Sequence, residues 1–424
     1  MSHGELALHG GAPLRRTPFA PWPEWGAPER EALERVLASS SWGGFPSPNR
    51  EARAFAAAFA RYVGAAHAVP CSSGTTALEL ALQSARVRPG AEVITTPYTF
   101  VATAGAIASV GAVPVFVDVL PESYCLDPDR VEAAWTSRTE AVVAVHLACA
   151  MADMDRLPEI ARRRGLLLVE DCAHAHGARW RERGAGTLGA LGCFSMQSTK
   201  LLTAGEGGAV TTGDALLAQR LQSLVNCGRK EPGYDGFPES MLGRNARMTE
   251  WQAAILQAQL ERLPEQHARR AARIARFEAG LAALPGLRPL PRDPRVTHAT
   301  AYQVIVRYEP EGFAGVHRDA VLTALQAEGI PASGRFYVPL PDDPLFAPDP
   351  LTNPAVRAGA RFAGQRFPVA ARAAYDEAIW LPHELFLGSE ADVDDLLAAF
   401  AKVQAHAGQL RRTPPAQPRA RTRR

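Results

Sequence analysis

DMDRLPEIARRRGLLLVEDC, residues 153–172, joins a helical pattern directly to an apolar run that ends in acid. A helix, a glycine and then a strand with almost no polar residue is the unit from which a parallel sheet is built, because such strands are covered on both faces. The same rhythm extends in both directions. AHAVPCSS (66–73) leads into the helical TTALELALQSARV (75–87), EVITTPYTF (92–100) into VATAGAIASV (101–110), and VPVFVDV (113–119) is followed by AVVAVHLA (141–148). These alternations predict an α/β domain with a large sheet. After Thr249 a long helical pattern, TEWQAAILQAQLERLPEQHARRAARIARFEAGLAAL, reads as the connector out of that domain, bent or broken at Pro264. Beyond it, YQVIVRY (302–308) and RFYVPL (335–340) read as strands and ADVDDLLAAFAKVQAHA (391–407) as a closing helix. The expected division is 1–263, an N-terminal segment with the large α/β domain; 264–406, connector helix and smaller α+β domain; and 407–424, a disordered basic tail rich in Arg and Pro.

The bulk properties are those of a globular chain. It has 424 residues, 47% hydrophobic and 21% charged, with a formal net charge of +2 that makes no case for a nucleic-acid or membrane partner. The N-terminus lacks a continuous apolar h-region and no run of spanning length occurs, so a cytoplasmic location is expected. Six cysteines, Cys71, Cys125, Cys149, Cys172, Cys193 and Cys227, form no CxxC pair, which argues against a zinc site or a disulfide framework.

Three segments fall where loops at the carboxyl ends of strands bind ligands. Ser73-Gly74-Thr75-Thr76 sets glycine and hydroxyls at a helix N-terminus, suited to an anion, although Thr76 to Glu79 also fits a plain capping box. VEDCAHAHGA (169–178) puts Asp171 at the mouth of the sheet with His174 and His176 close by; no second ligand cluster suggests a metal. FSMQSTKLLTAGEGGAV (194–210) holds Lys200, one of only three lysines among the 46 Lys and Arg residues of the chain. Arginine keeps its proton, whereas a lysine withdrawn from water can become a nucleophilic amine. Phosphate-type turn, acid and lysine in that order are what pyridoxal phosphate requires: an anion hole, a partner for its ring nitrogen and an amine for its aldehyde.

The stretches SSGTTAL, PYTFVAT, VEDCAHAHGA, FSMQSTKLLTAGEGGAV and GRNARMTEWQAAILQAQLERL together resemble the DegT/DnrJ/EryC1/StrS family of pyridoxal-phosphate-dependent aminotransferases, over nearly all of residues 5–405. The resemblance implies an aspartate-aminotransferase-like fold (fold type I), a large mixed-sheet α/β domain plus a smaller C-terminal α+β domain. It implies that Lys200 binds the cofactor aldehyde and then moves a proton, that Asp171 pairs with the ring nitrogen, and that Gly74, Thr75 and Ser195 hold the phosphate. Phe100 would lie against the ring face and His174 near the ring hydroxyl. Asn245 would reach the phosphate of a neighbouring subunit, in a homodimer with shared active sites. Gln197, CAHAHG and LALHGGAPLRRTPF resemble the cyclitol branch, with its glutamine:scyllo-inosose aminotransferases, and its relative 3-amino-5-hydroxybenzoate synthase. Ala246, where many sugar aminotransferases of the family have Tyr, and His146-Leu147-Ala148-Cys149, where the family has HLYG, depart from the pattern.

The expected activity is transfer of an amino group from glutamine or glutamate to a cyclic ketone, preferably a keto-cyclitol, in aminocyclitol or antibiotic biosynthesis. Alternatives are a nucleotide-linked keto-sugar acceptor, a dehydratase of the hydroxybenzoate-synthase type, and a non-catalytic protein on the same scaffold. Arg229 and Lys230, in NCGRKEPGYDG, are either donor-carboxylate ligands or solvated loop charges. His298, Arg335, Tyr337, Trp380 and His383 either face the substrate or serve core and interface roles.

Overall fold

The helix expected ahead of the acidic strand forms over Arg156–Arg164 and stops at Gly165, whose φ of 66° is left-handed. It hands the chain to a strand over Leu167–Asp171. The computed structural model describes residues 4–45, 47–230, 236–346 and 365–410. In chain order the first helices are α1 (Ala27–Ser39), α2 (Arg50–Val63), α3 (Gly74–Ser84), α4 (Val101–Ser109), α5 (Pro128–Ala134), α6 (Arg156–Arg164), α7 (Ala215–Val225), α8 (Glu250–Leu281) and α9 (Arg318–Ala327). The first strands are β1 (His67–Cys71), β2 (Glu92–Thr95), β3 (Val113–Phe116), β4 (Thr139–Val145) and β5 (Leu167–Asp171). After a short hairpin, β6 (Arg179–Trp180) and β7 (Arg183–Gly184), come β8 (Leu191–Ser195) and β9 (Gly208–Thr212).

Seven of these strands form one sheet in the order β1-β9-β8-β5-β4-β2-β3. β9 runs antiparallel to both neighbours and the other pairs are parallel, so the sheet is mixed, as expected. The strands are largely apolar because successive side chains enter different cores. Val142, Ala144 and Leu168 join a cluster with Phe55 and Phe59 of α2 and Leu157 and Ile160 of α6. Ala141, Val143 and Val169 join another with Leu78 and Leu80 of α3 and Leu221 of α7.

A third cluster lies around a smaller antiparallel sheet, β10 (Leu287–Pro289), β12 (Gln303–Tyr308) and β13 (Ala378–Pro382), backed by α9 and the helix Glu390–Ala405. The strand β11 (Val296–His298) pairs instead with β6 of the first unit. Of the bend or break expected at Pro264, the break does not occur: α8 runs through it for 32 residues. Its early residues Ala253, Leu256, Leu260 and Leu263 sit in the first core, and Ile274, Phe277 and Leu281 in the third. Packing at both ends offsets the hydrogen bond that proline cannot donate.

Other local readings are corrected. RFYVPL is not a strand: Ser333 bridges to Trp380 of β13, and the chain then turns into the cleft, where Pro339 has no N–H to offer a ladder. The segment before residue 20, assigned with the large domain, packs on the third core through Leu6, and Arg15 pairs with Asp392 at 2.6 Å and Asp395 at 2.7 Å. The start of the expected disordered tail forms a helical turn, Ala407–Leu410, whose Ala407 and Leu410 are buried; residues 411–424 lie outside the described residues. No described helix is long and apolar enough to cross a membrane.

Candidate active site

The carboxyl ends of β1, β5 and β8 open into a cleft of about 970 Å³. Its lining brings together Gly74, Thr75, Phe100, Asp171, His174, Ser195 and Lys200, with Tyr302, Tyr337 and Trp380 contributed by the second unit. The sequence order of turn, acid and lysine thus becomes one surface because parallel strands end on the same side of the sheet.

The turn is capped by Ser73, whose Oγ accepts the Thr76 N–H at 3.1 Å. The alternative reading of Thr76 to Glu79 as a plain capping box is therefore not met, since the N-cap is Ser73. It leaves the N–H groups of Gly74 and Thr75 in the first turn of α3, where no intrahelical acceptor exists. Glycine is required at 74 by close approach: a Cβ there would stand 2.5 Å from the Cβ of Ser195. A helix N-terminus and two hydroxyls, Thr75 and Ser195, therefore converge at one end of the cleft, a donor set that fits a phosphate.

Asp171, the last residue of β5, is 6% exposed. Thr103 Oγ1 donates to its Oδ2 at 2.9 Å and the Ala173 N–H to its Oδ1 at 3.2 Å. Burial pushes its carboxyl above the usual range, opposed by these hydrogen bonds and by the charge of Lys200. A cationic ring nitrogen is the kind of partner such a carboxylate fits.

Lys200 is 9% exposed. Burial brings its ammonium down from 10.5 to about 8, with Asp171 pulling the other way. Its loop is pinned from several directions. Trp22 Nε1 donates to the Ser198 carbonyl at 3.0 Å, His383 Nε2 to the Thr199 carbonyl at 3.1 Å, and Thr199 Oγ1 lies 2.8 Å from the Tyr302 hydroxyl. The ammonium itself sits 4.2 Å from the centroid of the Tyr302 ring. A buried amine of lowered pKa beside a buried acid, with an anion cradle at the other end, is a site for covalent carbonyl chemistry and proton transfer.

His174 stacks on Tyr302 with centroids 4.2 Å apart. Its Nδ1 accepts the Ala148 N–H at 3.2 Å, so the proton of the neutral ring sits on Nε2, 3.2 Å from the Tyr337 hydroxyl. Burial holds this imidazole well below its usual range. Both nitrogens are engaged, so meeting a ring hydroxyl requires Tyr337 to turn. Phe100 lines the cleft and is 49% exposed. Asn245 is exposed and lies outside the lining, where it forms a bridge with Asn226.

Other candidates divide. Tyr337 and Trp380 reach the cleft. Arg335 is bound to Asp319 at 2.8 Å, and His298 meets the His267 ring edge-on at 6.1 Å and lies outside the cleft lining. Lys230 donates to the Phe237 carbonyl at 2.7 Å; the loop after it, 231–235, lies outside the described residues. His146, Glu170 and Cys172 place ligand-type atoms within 4.8 Å of one another. Glu170, however, already accepts the N–H groups of Gly186, Leu188 and Gly189 and bonds His146 Nε2 at 3.0 Å, while His146 Nδ1 accepts from Ala152. These are satisfied structural bonds. Sequence reasoning missed Thr103 and Tyr302; for Thr103 the threonine one helical turn into α4 was a usable signal, for Tyr302 there was none.

Comparison with known proteins agrees with this geometry. The sequence profile of the DegT/DnrJ/EryC1/StrS aminotransferase family matches residues 25–400. A protein of Streptoalloteichus tenebrarius, provisionally assigned as an L-glutamine:3-amino-2,3-dideoxy-scyllo-inosose aminotransferase, is 48% identical over 96% of this chain and 99% of its own. The L-glutamine:2-deoxy-scyllo-inosose aminotransferase of Micromonospora echinospora is 42% identical over 96% of this chain and 99% of its own. The crystal structure of 3-amino-5-hydroxybenzoic acid synthase superposes with a TM-score of 0.80 at 36% identity, covering 92% of this chain and 99% of that one.

Proposed function

The chain belongs to the DegT/DnrJ/EryC1/StrS aminotransferase family, and we propose that it uses pyridoxal phosphate to move an amino group from glutamine or glutamate to a keto-cyclitol of the scyllo-inosose type. The observation that carries this reading is the buried Lys200, brought to about pH 8 by desolvation, across the cleft from buried Asp171. Aminocyclitol relatives at 48% and 42% identity over almost their whole length support the acceptor class.

In this reading the first turn of α3 with Gly74, Thr75 and Ser195 holds the phosphate, Asp171 holds the proton of the ring nitrogen, and Phe100 and His174 border the ring. When bound, the cofactor supplies an aldehyde for the lysine and a ring that accepts electrons from the substrate carbon. Lys200 Nζ, close to neutrality, takes a proton from the donor carbon and later delivers one to the acceptor carbon. Thr103 keeps the Asp171 carboxylate aimed. The donor leaves as a 2-oxo acid and the ketone as an amine, so nitrogen and hydrogen balance over the two halves.

Lys200 is the sole lysine or arginine among the described lining residues. An amino-acid donor also brings a carboxylate, and in the proposed homodimer a second copy supplies its cation. A homodimer with shared sites, in which Asn245 reaches the phosphate of the neighbouring subunit, is part of the same proposal. The division near residue 263 and a cytoplasmic location belong to the same proposal.

The test is an absorption spectrum of the purified protein with and without glutamine or glutamate, followed by product analysis with a panel of ketones. Loss of the lysine-bound cofactor band on adding donor, and an aminated cyclitol as product, are expected. An aromatised product would instead favour the dehydratase reading, to which the likeness to 3-amino-5-hydroxybenzoic acid synthase lends weight. A protein that takes up no cofactor would overturn both.

A further inference from the structure

Tyr302 begins the turn into β12 of the second unit, yet its ring ends beside the lysine of the first. Among the contacts that converge on it are Lys200 Nζ at 4.2 Å from the ring centroid, the His174 imidazole stacked at 4.2 Å, the hydroxyl 2.8 Å from Thr199 Oγ1, and its N–H donated to the Ala148 carbonyl at 3.0 Å. Backbone, hydroxyl and stacking partner hold the ring independently of the lysine. We propose that Tyr302 is a positioning residue whose ring face is the resting seat of the Lys200 ammonium whenever the lysine is not covalently engaged.

The physical argument concerns strength. A buried ammonium needs a substitute for water. A close carboxylate would supply it, but would also keep the lysine protonated and tethered. An aromatic face attracts the cation through its quadrupole, yet has no lone pair to hold it by a directed bond. The ammonium is therefore located without being trapped, and it can lose its proton and swing to the cleft. Asp171 is drawn to it through space, but its oxygens are held by Thr103 and Ala173. Thr199, the neighbour of Lys200, bonds the same tyrosine, so ring and lysine backbone move together.

The inference rests on the reading that Lys200 reacts as an amine, and the chain's composition makes it testable apart from that reading. Only three lysines occur, and Lys402 is paired with Glu328 at 2.8 Å while Lys230 donates to Phe237. Labelling by fluorodinitrobenzene, followed peptide by peptide in the full-length chain freed of cofactor, therefore reports the Lys200 titration directly. Tyr302→Phe, which keeps the ring, is expected to keep the wild-type midpoint. Tyr302→Leu and Tyr302→Met, which keep the site apolar but remove the ring, are expected to lower the midpoint by about half a pH unit or more. Unchanged midpoints in both ring-less variants overturn the proposal, and so does a Tyr302→Phe shift as large as theirs. If one ring-less variant fails to fold, the other decides. Adding pyridoxal phosphate to the wild type should protect Lys200 from the reagent; that arm tests the cofactor reading, and either can fail alone.

Discussion

Thr103 Oγ1, one turn into α4, donates to Asp171 Oδ2 at 2.9 Å, fixing the carboxylate at the end of β5 that faces the lysine. The same hydroxyl lies 3.0 Å from Thr99 Oγ1, and all three groups are buried. The acid is thus aimed by its neighbours before any ligand arrives.

Removing that aim should weaken catalysis without abolishing it. Thr103→Val is expected to lower kcat several-fold and to cost about 1–3 kcal/mol of stability, because it leaves one buried acceptor short of a donor. Asp171→Asn should lower activity far more while the melting temperature changes little. Paired kinetics and thermal melts check this, and equal losses in the two variants would sink the assigned roles.

Charge alone does not explain Lys200. Lys200→Arg keeps the cation but cannot give up its proton, so activity should fall by about 10²–10⁴-fold or more. A variant with wild-type turnover would remove the lysine from the chemistry.

The lowered pKa of Lys200 makes stability depend on pH in a definite direction. Its folded value of about 8 lies below the ordinary 10.5, so between those values the unfolded chain binds the extra proton and stability rises with pH. Denaturant unfolding of the cofactor-free protein, measured against Lys200→Met to cancel other groups, should show the wild type gaining between about pH 8 and 10.5. A flat difference would mean that the lysine titrates normally.

Gly74 has no room for a methyl group. In Gly74→Ala the new Cβ would meet Ser195 at 2.5 Å, so the turn must shift, at a cost of about 1–3 kcal/mol. Affinity for pyridoxal phosphate should fall together with the melting temperature. Unimpaired cofactor binding would move the anion site elsewhere.

Much of the architecture was legible because its causes are local. Apolar strands such as AVVAV and LLLVED show their burial on both faces residue by residue, and the glycine stop at Gly165 is written into the chain. The turn at Gly74, the acid and the lysine could be read as a set because each ends its own strand or loop, and a mixed sheet with parallel neighbours necessarily gathers those ends. That Pro264 does not break its helix was hidden for the complementary reason: the helix is held by two cores that are contributed from elsewhere in the chain.

By itself, the sequence determined the alternation of strands and helices and the chemistry-bearing residues that the sheet assembles; the antiparallel course of β9 that makes the sheet mixed was implied only by the family resemblance. Only the tertiary structure decided what surrounds them. Tyr302 and Tyr337 come from the second unit, Trp22 from the N-terminal segment, and His298 turns out to lie outside the cleft lining. Periodicity records which face a residue buries, whereas contact between distant segments depends on how whole layers dock, and that leaves no periodic trace in the chain.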